Sequence, residues 1–255
     1  MTRFLMTGLK GLRVAAGVLA LTAIAAGPVS AQSAALSDAQ KKEVRGLVRE
    51  YILANPEIIT EAVSLLQEKE EKAKASKVVA AINANKASLF TPPEGTVLGN
   101  PKGDVTLVEF FDYNCGYCKQ VYPTMMETLK EDGKIKLVVK EFPILGPGSV
   151  VASQAALASR KQNKYQEFHM AMLGHRGQLN EDSIMKIAAD VKIDVKKLRE
   201  DMKAPEINEI LKKNHQLAQE LGIEGTPAIV VGETLVPGAL QKDHLKELIA
   251  DARKK

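Results

Sequence analysis

The chain has 255 residues, with 35 Lys+Arg against 31 Asp+Glu, two cysteines, no tryptophan and eleven Phe+Tyr. A hydrophobic share of 45% and a charged share of 26% exclude wholesale disorder, and a net charge of +4 makes no case for a nucleic-acid partner. Two cysteines cannot build a disulfide-stapled scaffold, so their placement matters more than their number.

The first 31 residues read as a cleaved export signal. Arg3, Lys10 and Arg13 precede a 13-residue uncharged run, Val14 to Ala26, which Gly27-Pro28 ends. Val29-Ser30-Ala31 then supplies small residues for cleavage before Gln32. The run is shorter than the roughly 20 apolar residues of a spanning helix, so a retained anchor is the weaker reading. No cysteine near the cleavage point invites a lipid, and there is no twin-arginine pair. All three charges of this segment are basic, so the remaining 224 residues carry only +1. With no second long apolar segment, the mature protein is expected to be free of a membrane span and to work in an oxidising, exported compartment.

Residues 32–90 read as helical. Ser37-Asp38 can cap a helix with apolar positions at Val44, Leu47, Val48, Tyr51 and Ile52, a spacing of three and four. Asn55-Pro56 suits the start of a second helix, with a stripe at Ile58, Ile59, Ala62, Val63 and Leu66. A charged stretch, Gln67 to Lys77, follows, with Glu68–Lys72 and Glu70–Lys74 in the favourable order. Thr91-Pro92-Pro93-Glu94-Gly95 then marks a boundary. The stripes either pack back on the main domain or pair with copies of themselves. The narrow apolar stripe and the charged stretch favour self-association, hence a homo-oligomer.

Beyond the boundary the pattern is α/β. Val105 to Phe111 is a strand apolar on both faces and therefore central. A helix to about Lys130 follows, then a strand from Ile135 to Phe142. A helical block occupies about 149–222, with breaks at Gly174–Gly177 and Pro205. Ala228–Val231 and Thr234–Val236 form a hairpin around Gly232-Glu233, and a helix closes the chain. The order predicts a small mixed sheet covered on both faces.

Both cysteines lie in Cys115-Gly116-Tyr117-Cys118, after a buried strand and at the start of a helix. A disulfide across so short a loop is a poor staple. A helix N-terminus instead stabilises a thiolate. Cys115 is therefore the candidate nucleophile and Cys118, one turn in, the resolving thiol. Structural zinc would need further ligands, and the nearest histidine is about 50 residues away. Copper(I) could take the thiol pair, with Met125 and Met126 nearby, although methionines on an apolar helix face are more often core. The four histidines read as surface residues. Glu109 falls on the Val105/Leu107/Phe111 face of the buried strand, where burial raises a carboxyl pKa. It can take a proton from the resolving thiol, unless it pairs with Lys140 on the neighbouring strand. Gly225-Thr226-Pro227 reads in isolation only as a turn.

The run Glu109 to Cys118, with Gly225-Thr226-Pro227 about 110 residues on, resembles the DsbA-like branch of the thioredoxin superfamily. The resemblance covers about residues 95 to 255 and implies a thioredoxin-like fold with an inserted helical subdomain. It also implies a cis bond before Pro227, which sets the Thr226–Pro227 backbone beside Cys115 to bind a substrate peptide, alongside Gly116 and Tyr117. Leu47 to Glu57 is similar to the leader of the ScsC-type copper-sensitivity suppressors, in which an N-terminal helical arm oligomerises catalytic domains and members are associated with isomerase activity. Gly116-Tyr117 and Thr226 are also similar to DsbC-type isomerases, whereas strongly oxidising DsbA proteins usually carry Pro-His and a Val. A histidine in the dipeptide would place positive charge beside the thiolate; Gly-Tyr cannot, which makes a milder oxidant.

The resulting expectation is a periplasmic protein in three parts: signal 1–31, oligomerisation region 32–90 and catalytic domain 91–255. It would need no cofactor beyond the Cys115–Cys118 redox couple and no metal. It would act on exported proteins with non-native disulfides, and a membrane redox partner would reset the cysteines. The alternatives are a DsbA-like dithiol oxidase and a copper- or polypeptide-binding oligomer.

Overall fold

The computed structural model describes residues 36–254; the expected export signal lies outside them. The chain divides at Glu61/Ala62 into two compact units. In the first, helix α1 (Asp38–Ala54) starts in a reciprocal cap, with Ser37 Oγ accepting from Gln40 N–H and Gln40 Oε1 accepting from Ser37 N–H. No residue of α1 is buried. Asn55 does not cap the next helix as the sequence suggests. It closes α1, donating from Nδ2 and from its backbone N–H to the Tyr51 carbonyl. Helix α2 (Glu57–Ala84) begins directly afterwards.

The second unit contains a five-stranded sheet ordered β1-β3-β2-β4-β5. Its strands are β1 (Val97–Gly99), β2 (Val105–Phe111), β3 (Ile135–Glu141), β4 (Ala228–Val231) and β5 (Thr234–Pro237). Only β2 and β3 run parallel; β1, β4 and β5 pair antiparallel with their neighbours. β2 is the central strand its two apolar faces predict. Val105, Leu107 and Phe111 enter one core, and Val108 and Phe110 enter the other. β1 was not foreseen, since three residues show no alternation.

On the first face lie α4 (Gly116–Asp132) and α10 (Lys242–Ala252). α4 buries Cys118, Val121, Met125, Thr128 and Leu129 at spacings of three and four, and ends at Gly133 in the left-handed conformation (φ 67°). The helical insertion is α5 (Pro147–Ser159), α6 (Tyr165–Gly174), α7 (Glu181–Asp190), α8 (Val195–Asp201) and α9 (Pro205–Glu220). Its buried residues from α5 to α8 extend this same core. The break expected at Pro205 falls between α8 and α9, which Pro205 opens, because a proline at the first helical position gives up no intrahelical N–H bond.

The second face carries the C-terminal half of α2, the short α3 (Lys86–Phe90) and the end of α9. Ile82 and Leu89 are fully buried there beside Val108, Phe110 and Val138. The Pro-rich stretch at 91–95 is therefore not where packing ends. Residues 78–90, assigned by sequence to the arm, form part of the core. The charged run before them hides this, since on α2 only one face past Lys77 meets the sheet. No helix among the described residues is long and apolar enough to cross a membrane.

Candidate active site

Cys115 is the N-cap of α4, in extended conformation (φ −74°, ψ 116°), so the first free N–H groups of the helix converge on its sulfur. Cys118 N–H donates to Cys115 Sγ at 3.4 Å, and Cys115 Sγ lies 3.2 Å from the carbonyl oxygen of Thr226. The Thr226–Pro227 bond is cis. The two segments implied together by the resemblance thus meet at one sulfur. Cys115 is 5% and Cys118 1% exposed, while Gly116 and Tyr117 stand in solvent on the outer turn.

The two thiols have opposite characters. Cys115 is brought down to about 5, first by the Cys118 thiol, then by the Thr226 hydroxyl and the backbone N–H groups of Cys118 and Tyr117. Cys118 is driven far up, first by its hydrogen bond to Cys115, then by burial and by the charge of Glu109. A thiolate at the cap with a protonated thiol behind it suits attack on a disulfide followed by internal resolution.

Glu109 is buried at the centre of β2, opposite Val139 of β3 and Ile229 of β4. Those neighbours and Cys118 belong to the core on one sheet face, so Glu109 lies beneath the cysteine pair. Burial, then the charge on Cys115, lifts its carboxyl to about 7. Lys140 is not its partner. It lies across from Phe110 on the other face and donates from Nζ to the carbonyls of Ser88 and Thr91.

Three further features escape the sequence because their partners are distant. Asp112 is fully buried, and its carboxylate accepts from the N–H groups of Asn114 (2.7 Å), Ile144 (2.8 Å) and Leu145 (3.0 Å). Its own carbonyl accepts from Cys115 N–H at 3.0 Å, so it sets the turn that delivers the cysteine. Asn114 pairs like a strand with Leu179, accepting from its N–H at 2.6 Å and donating to its carbonyl at 3.3 Å. Gly148 leaves room for this clamp, since a Cβ there would fall 2.4 Å from the Leu179 oxygen. Lys119 Nζ donates to the Gly177 carbonyl at 2.6 Å, a second tie from the cysteine helix to the α6–α7 loop.

The third feature is a buried polar cluster. Glu141 accepts from Ser153 (2.7 Å), Tyr165 (2.8 Å) and Tyr113 (3.2 Å), and Tyr113 Oη is also 2.9 Å from His169 Nδ1. Burial still raises Glu141 to about 8 and pulls His169 down to about 3. His169 is thus not the surface residue the sequence suggests. It is 1% exposed and neutral, held among the rings of Phe111, Tyr113, Tyr122 and Tyr165. Tyr113 fastens the cysteine loop to this cluster. Among the described residues, no three His, Cys, Asp or Glu side chains gather into a metal-holding group.

The fold and the paired cysteines define a member of the DSBA-like thioredoxin domain family, whose pattern matches residues 106–250, and the chain belongs to that family. It is a thiol–disulfide oxidoreductase of the DsbA type. Residues 40–73 match the copper resistance protein ScsC N-terminal domain, which places the chain with the ScsC-like members. A thioredoxin-like oxidoreductase from Silicibacter pomeroyi is 46% identical with a TM-score of 0.65, over 67% of this chain and 99% of that one. A linker-deletion mutant of Proteus mirabilis ScsC is 29% identical with a TM-score of 0.64, over 87% of this chain and 98% of that one. A probable disulfide bond formation protein D of Bacillus anthracis is 29% identical over 171 residues, 62% of this chain and 78% of that protein.

Proposed function

We propose that this oxidoreductase is an exported disulfide isomerase. The Cys115 thiolate attacks a client disulfide, one S–S bond forms as another breaks, and the expelled client thiolate is free to attack elsewhere in the same polypeptide. The client then either resolves the mixed disulfide itself or leaves when Cys118 attacks. In the second case Glu109 takes the Cys118 proton, the client departs reduced and Cys115–Cys118 is left as a disulfide. A membrane-bound reductant then resets the pair. The cysteines are the only redox group required.

One observation carries the choice of isomerase over oxidase: the groups that most lower the Cys115 thiol, Cys118, Thr226 and the backbone N–H of Tyr117, are uncharged. The thiolate rests chiefly on neutral donors at a helix N-terminus. The reduced form is correspondingly less favoured than in a strongly oxidising relative. An isomerase has to be reduced to begin its attack.

The N-terminal helices support the same reading. Val44, Leu47, Val48 and Tyr51 of α1, with Ile59, Val63 and Leu66 of α2, are apolar and exposed in the single chain. Pairing these stripes between copies would bury them and would bring several Cys115 sites to one client. Export to the periplasm rests on the basic, apolar and small-residue order of residues 3–31.

The test couples two measurements on mature protein. Its reduction potential should lie near about −180 mV or lower rather than near about −120 mV. The reduced form should restore activity to a scrambled multi-disulfide protein. A strongly oxidising potential without such recovery means a dithiol oxidase.

A further inference from the structure

We propose that a groove on the α2 face of the sheet, beginning at the Thr226–Pro227 loop, holds an extended, apolar segment of the polypeptide client. The inference rests on the oxidoreductase reading above and adds where the client lies while its sulfur is bound to Cys115.

The groove has a volume of about 1120 Å³, above the roughly 300–1,000 Å³ of small-molecule sites. One wall is α2 at Lys74, Ala75 and Val78; the other is formed by Ile223, Leu235 and Pro237. The α2 wall is fixed to the sheet. Val78, Ala81 and Ile82 pack in the core shared with Val108 and Phe110, and Asn83 Nδ2 donates to Glu233 Oε1 at 3.0 Å. This is the face opposite α4 and α10, so the groove is separate from the surface those helices present.

Three features select an unfolded polypeptide as occupant. The first is continuity with the reacting sulfur. Thr226 lines the groove's end, and its carbonyl is 3.2 Å from Cys115 Sγ, so a chain joined to Cys115 passes within reach of it. The second is a free strand edge. β5 is the last strand of the sheet, and the Gly238 N–H to Pro227 carbonyl bond (2.8 Å) fixes which residues face β4. Counting in twos from that bond, Val236 and Thr234 exchange bonds with β4, while the N–H and carbonyl of Leu235 point outward from the edge. Leu235 also lines the groove, so a chain lying there finds both strand hydrogen bonds and apolar walls. The third is charge. Lys74 and Lys77 line the groove with Glu71, Glu220, Glu224 and Glu233, an acidic excess that disfavours a polyanion and leaves an uncharged or basic stretch of polypeptide as the better fit.

The test uses the full mature chain carrying Ala75→Trp, which puts an indole into the groove from an exposed helix position. Rate constants for reaction of the reduced protein are measured with scrambled ribonuclease A and with oxidised glutathione. The ratio of the polypeptide rate to the glutathione rate should fall about tenfold, a change of ~1.4 kcal/mol in client binding. A second variant carries the photoreactive residue benzoylphenylalanine at position 74 together with Cys118→Ala. After trapping a ribonuclease chain on Cys115, illumination should link position 74 to that chain.

An unchanged ratio with no photo-crosslink overturns the groove proposal. So does a fall in oligomer mass in the Ala75→Trp variant, which would make the groove an interface between copies. Loss of the wild-type reaction with both substrates instead overturns the oxidoreductase reading, so the two failures are distinguishable.

Discussion

At Cys115 and Cys118, two chemically identical thiols three residues apart acquire opposite acidities from geometry alone. Cys115 faces the helix N–H groups and is brought down to about 5, whereas Cys118 is buried behind it and pushed up. Alkylation of the reduced protein by iodoacetamide should therefore rise through an inflection near pH 5 and involve Cys115 first, as peptide mapping would show. The shift also links acidity to stability. A thiol lowered from 9.0 to about 5 stabilises the reduced fold fully above pH 9. That contribution shrinks as pH falls and is gone below about 5. Urea melts of reduced protein should show the loss, and melts of the oxidised form, which has no thiol to titrate, should not. Glu109 titrates near 7, so Glu109→Gln should slow resolution of a mixed disulfide by Cys118 and remove a pH step near 7. A Cys115 alkylation profile left in place would separate this effect from general damage.

Among the elements, the cysteine loop between β2 and α4 is held more firmly than its sequence suggests. Asp112 satisfies three backbone N–H groups at the edge of the core, and its removal takes away the acceptor all three share. Asp112→Ala should cost about 1–3 kcal/mol in chemical denaturation. Retention of wild-type stability would mean the carboxylate is not what sets the turn. The strand carrying Glu109 and the helix carrying both cysteines were legible because periodicity and one short motif specify them locally. The second anchors were not. Asn114 meets Leu179, and Tyr113 meets Glu141 and His169, across 65, 28 and 56 residues of chain. Nothing local in an Asn, a Tyr or a His announces such a partner. β1 was hidden because three residues carry no periodic signal, and the Thr226 contact was legible only through the family resemblance, since a lone X-Pro reads by itself only as a turn.

For the whole molecule, the boundary between arm and catalytic unit lies earlier than composition implies. Ile82 and Leu89 are fully buried against the sheet, each contributing roughly 1.5–3 kcal/mol, so a deletion reaching residue 90 would open the core. Removing residues 36–61 instead takes away α1 and the first turn of α2 and leaves the compact unit whole. Light scattering should then report a smaller assembly. Dithiol oxidation should persist while recovery of scrambled disulfides falls. A full mature chain found monomeric would contradict the proposed self-association outright.

In the proposed mechanism, disulfide shuffling passes through a covalent bond to Cys115. Mature Cys118→Ala protein, reduced and mixed with scrambled ribonuclease A, should accumulate a mixed disulfide that peptide mass mapping places at Cys115. The reduced wild-type chain should meanwhile raise native ribonuclease activity. If no client peptide is joined to Cys115, or if wild-type protein recovers no activity while it forms that bond, the isomerase mechanism is wrong.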